Sequence, residues 1–86
     1  MELHELRTWP GYFEGLVTGK KTWEIRRDDR HFEVGDLLYL SEYDPEKNEY
    51  TGRMELRKVT MISKNLPWVQ DGYVVMSIVP GKLEVK

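Results

Sequence analysis

The sequence predicts a mainly β fold: a small β-barrel of five to six short strands with one inserted helix. Three observations lead there. Apolar and polar residues alternate over several short runs, the pattern of half-buried strands. One segment alone, Pro10 to Thr18, keeps helical spacing. The longest alternating run slips phase partway along, which implies a bent strand of the kind that curls a sheet toward closure.

Leu3 to Arg7 reads as the first strand, and Trp9-Pro10 ends it. Pro10 suits the first turn of a helix, because its missing N–H would be unpaired there in any case. Phe13, Leu16 and Val17 fall on one helical face and are expected to pack it, with Gly19 as the stop. Thr22 to Arg27 is the second strand, with Trp23 and Ile25 expected on the core face. In the loop that follows, Phe32 is the expected apolar anchor. Val34-Gly35-Asp36 launches a third strand, Leu37 to Tyr43, apolar on both faces as a central strand should be. After the turn Asp44 to Glu49, a long strand starts near Tyr50. Met54 and Leu56 keep one phase and Val59 and Met61 the other, which places a bulge near Arg57-Lys58. Leu66 and Trp68 are expected to fold back from their loop onto the core. Tyr73 to Val79 forms the last firm strand, and Lys82 to Val85 a further short segment.

A chain of 86 residues makes one domain, residues 1–86, with one modest core. Without cysteine there is no disulfide framework and no thiolate metal site. His4 and His31 are the only histidines, so no metal and no cofactor are expected. The N-terminus lacks the basic and apolar regions of a signal peptide, and no apolar run approaches the length of a membrane span. A soluble, cytoplasmic protein with no membrane partner is the expectation. The net charge of −2 excludes a generic nucleic-acid coat. Charge is nevertheless uneven: Lys20, Lys21, Arg26, Arg27 and Arg30 cluster, while Glu42, Asp44, Glu46 and Glu49 make the 41–49 region acidic. A basic patch on an acidic chain suits a specific anionic ligand better than long-range capture of a duplex.

The basic patch holds the most informative motif, Gly19-x-Lys21-x-x-Glu24-x-Arg26. On a strand, Thr22, Glu24 and Arg26 share a face, and Lys21 stands at its mouth. This motif resembles the signature of the ASCH superfamily, small β-barrels related to the PUA domain of RNA-modifying enzymes. The resemblance extends to a subfamily of short stand-alone proteins from bacteria and their phages. It runs through His4-Glu5-Leu6, Trp9-Pro10-Gly11-Tyr12-Phe13 and Asp29-Arg30-x-Phe32-x-Val34-Gly35-Asp36. It continues through Glu42-Tyr43 and Tyr50-Thr51-Gly52-Arg53 to Gly72-Tyr73-Val74-Val75-Met76-Ser77-Ile78.

The resemblance implies a PUA-like pseudobarrel with a cleft between the first helix and the loop after strand two, and a role in binding RNA or a nucleoside-like ligand. Lys21, Glu24 and Arg26 would form the centre of the site. A carboxylate there can read a base edge while the cations hold phosphate or ribose. Lys20, Arg27 and Arg30 are the expected phosphate contacts, and Trp9 and Tyr12 the expected stacking rings. No nucleophilic triad is suggested by the residue order, so no catalytic residue is assigned. One ASCH branch hydrolyses the acetyl amide of acetylated cytidine and resembles this chain at Gly19, Lys21, Thr22, Ile25, Arg26 and His31-Phe32-x-x-Gly35-Asp36. That branch uses the lysine, a threonine and a more distant glutamate. Here Glu24 occupies the threonine's position, and the helical insertion carrying the glutamate is missing between Ile62 and Tyr73. A small amidohydrolase using Lys21 and Glu24 is therefore the alternative. A phage-encoded module docking on a host protein through the acidic turn is a third reading.

Overall fold

The computed structural model describes residues 1–82. Six elements follow one another: β1 (Leu3–Thr8), α1 (Pro10–Thr18), β2 (Trp23–Arg27), β3 (Leu37–Asp44), β4 (Glu49–Ser63) and β5 (Tyr73–Pro80). The five strands form one sheet in the order β1-β3-β4-β5-β2. It curls into a half-barrel and carries the single short helix. The chain is mainly β, with β1 parallel to β3 and every other pairing antiparallel. The segment expected over Lys82 to Val85 lies outside the described residues apart from Lys82 itself, which is not in a strand.

Burial follows the period of two wherever the inner face is apolar. β1 buries Leu6, β3 buries Leu38 and Leu40, and β5 buries Val74, Met76 and Ile78. These side chains join Val59, Phe32 and the helix residues Phe13 and Leu16 in one core. Pro10 opens α1, and Gly19 at φ 82° closes it, a conformation that favours glycine. Arg57 on β4 donates from Nη2 to the Leu16 carbonyl at 2.9 Å, which also accepts the Gly19 N–H at 3.2 Å, so the last turn is tied to the sheet. A helix of nine residues is too short to hold itself. It is held instead by Phe13 and Leu16, while Val17 is exposed rather than packed, because two positions suffice to seat so short a face.

A buried polar knot anchors the start of β1 to the turn before β3. Asp36 accepts from the backbone N–H groups of Glu2 and Glu33, each at 3.0 Å, and its Oδ2 meets His4 Nε2 at 2.8 Å. Burial alone would raise the Asp36 pKa. The hydrogen bonds from His4, Glu2 and Glu33 outweigh it and hold the carboxyl below its ordinary range. Phe32, the expected loop anchor, is buried against the edge of the His4 ring.

Three further details depart from the sequence expectations. The bulge of β4 falls between Val59 and Met61 in its pairing with β5, two residues beyond Arg57-Lys58. The extra residue there turns Ile62 toward the core and leaves Met61 exposed. Trp68 does not fold back; it is 78 % exposed. The faces of β2 are inverted: Glu24 is buried, while Trp23 and Ile25 are exposed. Glu24 pairs with Met76 and Arg26 with Val74, the inward residues of β5, so the polar face of β2 is the one that looks into the half-barrel.

Candidate functional site

That inversion builds the site. β1 and β2 are the two edges of the sheet, and no backbone ladder joins them. Side chains close the seam instead. Arg26 Nη2 donates to the Arg7 carbonyl at 2.9 Å, and Arg30 Nη1 to the Glu5 carbonyl at 2.6 Å. Glu5 and Arg7 lie two residues apart on β1, so their carbonyls face the same edge. His31, at φ 52°, turns the loop between Arg30, which reaches β1, and Phe32, which enters the core.

Above the seam lies a cleft of about 380 Å³, lined by Arg7, Thr8, Trp9 and Tyr12 on one side and Lys21, Trp23, Glu24, Ile25 and Arg26 on the other. Glu24, 2 % exposed, is held from both ends. Lys21 Nζ donates to Oε1, and Arg26 Nε donates to Oε2 at 2.8 Å. Lys21 also donates to the Trp23 carbonyl at 2.7 Å and stands 4.6 Å from the Trp23 ring centroid. Its backbone N–H bonds the Gly15 carbonyl at 2.9 Å. A Cβ at position 15 would come within 2.9 Å of the Lys21 Cβ, so glycine is what lets α1 and Lys21 approach. The arrangement holds the carboxylate immobile between two cationic side chains, and such burial is expensive unless every charge is paired.

A second pocket of about 480 Å³ continues along the seam, lined by Glu5, Leu6, Arg7, Arg26, Arg30, Ser41 and Tyr50. Arg7 and Arg26 belong to both. The Arg7 guanidinium lies 4.3 Å from the Tyr43 ring centroid, and its Nε donates to the Tyr50 hydroxyl at 3.0 Å. That hydrogen bond is the main cause of its raised pKa and orients the guanidinium, which is a cation as arginine always is.

Of the residues singled out in the sequence, Trp9, Tyr12, Lys21, Glu24 and Arg26 come together in the cleft, and Arg30 lines the adjoining pocket. Lys20 and Arg27 line neither pocket. Arg27 is one residue out of phase with Arg26 on the strand and packs instead over Tyr73, whose hydroxyl is its chief pKa-raising contact. Four cleft residues lie outside the site expected from the sequence: Arg7 and Thr8, together with Trp23 and Ile25, which were expected in the core. Thr8 is 3 % exposed, and its hydroxyl is the one buried side-chain polar atom among the described residues without a hydrogen-bond partner. Buried polar atoms are ordinarily hydrogen-bonded to protein or to ordered water.

Among the described residues no three His, Asp or Glu side chains converge as metal ligands would, and no helix is long and apolar enough to cross a membrane. Residues 3–78 match a family described as a domain of unknown function, DUF3850. The chain is also 32 % identical over 82 residues to the "Uncharacterized 12.9 kDa protein in GpA 3'region" of Escherichia phage P2, covering 95 % of this chain and 72 % of that one. The chain belongs to the DUF3850 family.

Proposed function

We propose that this is an RNA- or nucleoside-binding domain of the PUA-like ASCH type, which holds its ligand in the cleft between β1, the start of α1 and β2. The observation that carries the reading is the buried Glu24 carboxylate, clamped by Lys21 and Arg26 at the base of a cleft with aromatic residues in its walls. An ionised carboxylate offers about four lone-pair directions, so its oxygens retain acceptor capacity for the N–H groups of a base edge. Trp9 and Tyr12, each 58 % exposed, provide rings on which an unpaired base can stack, an interaction worth about 1–3 kcal/mol. The volume lies within the range of small-ligand sites. The direct test is a tryptophan-fluorescence titration with nucleosides and short single-stranded RNA at low salt. Saturable binding is expected, with a changed base preference in Glu24→Gln, because base contacts specify and phosphate contacts position. Absence of binding to every probe would remove this reading.

One observation favours the amidohydrolase as a second reading: the unpartnered Thr8 hydroxyl shares the cleft with Lys21. Incubation with acetylated cytidine separates the two. Binding alone predicts an unchanged substrate, whereas turnover that disappears in Lys21→Ala with the fold intact would promote the hydrolase.

A further inference from the structure

We propose that the second pocket of the seam is a phosphate subsite, so that the ligand of the cleft is a nucleotide rather than a nucleoside, its phosphoryl group held by Arg7, Arg26 and Arg30. This rests on the proposed nucleoside cleft and specifies its ligand class. Three features of the seam carry it.

The first is charge. Across the two pockets four cations, Arg7, Lys21, Arg26 and Arg30, face two carboxylates, Glu5 and Glu24. Glu24 is shared by Lys21 and Arg26, and Glu5 stands against Arg7 and Arg30, so each half of the seam keeps a net positive charge. On a chain with net charge −2, a local excess of positive charge along the two adjoining pockets marks an anion's place.

The second is preorganisation. Each guanidinium is fixed through one or two of its nitrogens: Arg7 through Nε on Tyr50, Arg26 through Nε and Nη2, and Arg30 through Nη1 on the Glu5 carbonyl. Each keeps further N–H donors without a protein partner among the described residues. A guanidinium has five donors, and a fork anchored at one end loses little freedom when it binds at the other. Planar carboxylates are satisfied by a single fork. Donors converging from β1, β2 and the loop after β2 suit a tetrahedral oxyanion better.

The third is adjacency. Arg7 and Arg26 line both pockets, so the phosphate site begins where the aromatic cleft ends. A base and its own phosphate can occupy the two at once. Ser41 and Tyr50 complete the second pocket with hydroxyls, which suit ribose or phosphate oxygens.

The experiment compares the four common ribonucleosides, their 5′- and 3′-monophosphates and inorganic phosphate by calorimetry at low salt. At least one monophosphate is expected to bind about tenfold or more tightly than its nucleoside, the factor that one charge-assisted contact supplies. Arg30→Gln and Arg7→Gln should each erode that advantage, whereas Lys58→Gln, an equal charge change on β4, the middle strand of the sheet and outside both pockets, should preserve it. Equal affinities for nucleoside and monophosphate would overturn the phosphate subsite and leave the cleft standing. Phosphate alone binding as tightly as the monophosphate would overturn the assignment to a nucleotide. Failure of every probe would remove the cleft reading and this one with it.

Discussion

One sheet presents two kinds of interior here. Between β3 and β5 the inward positions are Leu38, Leu40, Val59, Val74, Met76 and Ile78, an apolar surface closed by Phe13 and Leu16. At the seam between β1 and β2 the inward positions are Thr8, Glu24 and Arg26. The first region explains itself: apolar area leaves water and the sheet is held together. The second does not, because burying paired charges is seldom better than burying methylenes. The Asp36–His4 knot is buried too, but it closes on backbone N–H groups of its own chain, whereas the ion triad and the Thr8 hydroxyl lie in the wall of a cleft.

The largest effect that can break this comparison is removal of the central anion. Glu24→Ala leaves Lys21 and Arg26 facing each other without their carboxylate, and should lower stability by about 3–5 kcal/mol in urea denaturation. Because Arg26 is a quarter exposed, the lower end is expected. Replacing all three by apolar residues of similar size, Lys21→Met with Glu24→Leu and Arg26→Met, should recover most of that loss while ligand binding stays abolished. If the triple variant is as unstable as Glu24→Ala, the triad is structural and the contrast between the two regions fails.

Acid supplies the next test, on a carboxylate with a plainly structural place. The Asp36 carboxyl is held below its ordinary range, so the folded state favours its ionised form. Its stabilising contribution is complete above the ordinary carboxylate pKa and is lost as pH falls through the lowered value in the native state. Urea midpoints should therefore decline toward low pH more steeply in the native sequence than in Asp36→Asn. Parallel curves for the two would show that the knot of Asp36, His4, Glu2 and Glu33 makes no such contribution.

Much of the fold was legible because local signals and burial agreed. Pro10 and Gly19 bounded α1, and the doubly apolar Leu37-Leu38-Tyr39-Leu40 marked β3 as central. The phase of β2 was misread for a physical reason. Trp23 and Ile25 alternate with Glu24 and Arg26 as in any half-buried strand, and the ordinary rule sends the apolar pair inward. Here that face belongs to the cleft, and the exposed pair includes two of its walls. The motif still pointed to Lys21, Glu24 and Arg26, because residue type and spacing survive an inversion of faces. Arg7 and Thr8 gave no signal. They meet Glu24 only through the curl of the sheet, and nothing in the run Leu3 to Thr8 distinguishes them from a common strand edge.

The smallest expected effect sharpens the comparison further. In Thr8→Val a methyl replaces the unpartnered hydroxyl at nearly equal volume. Stability should hold or rise by about 1 kcal/mol, since an unsatisfied buried polar group is removed. A loss above that figure would show the hydroxyl to be bonded and the seam better satisfied than it is described. Weakened nucleotide binding in this stable variant would place Thr8 in the site.

The chain carries its own control for the central claim in its three tryptophans. Trp9 and Trp23 line the cleft, whereas Trp68 lies outside both pockets of the seam. Their indole N–H signals in a nitrogen-15 correlation spectrum, each assigned by Trp→Phe substitution, can be followed during titration with nucleoside monophosphates and a short single-stranded RNA. Saturable shifts of Trp9 and Trp23 with Trp68 unmoved are the predicted result. A shift of Trp68 alone, or three static signals at saturating ligand, would contradict a nucleotide-binding cleft at the seam between β1 and β2.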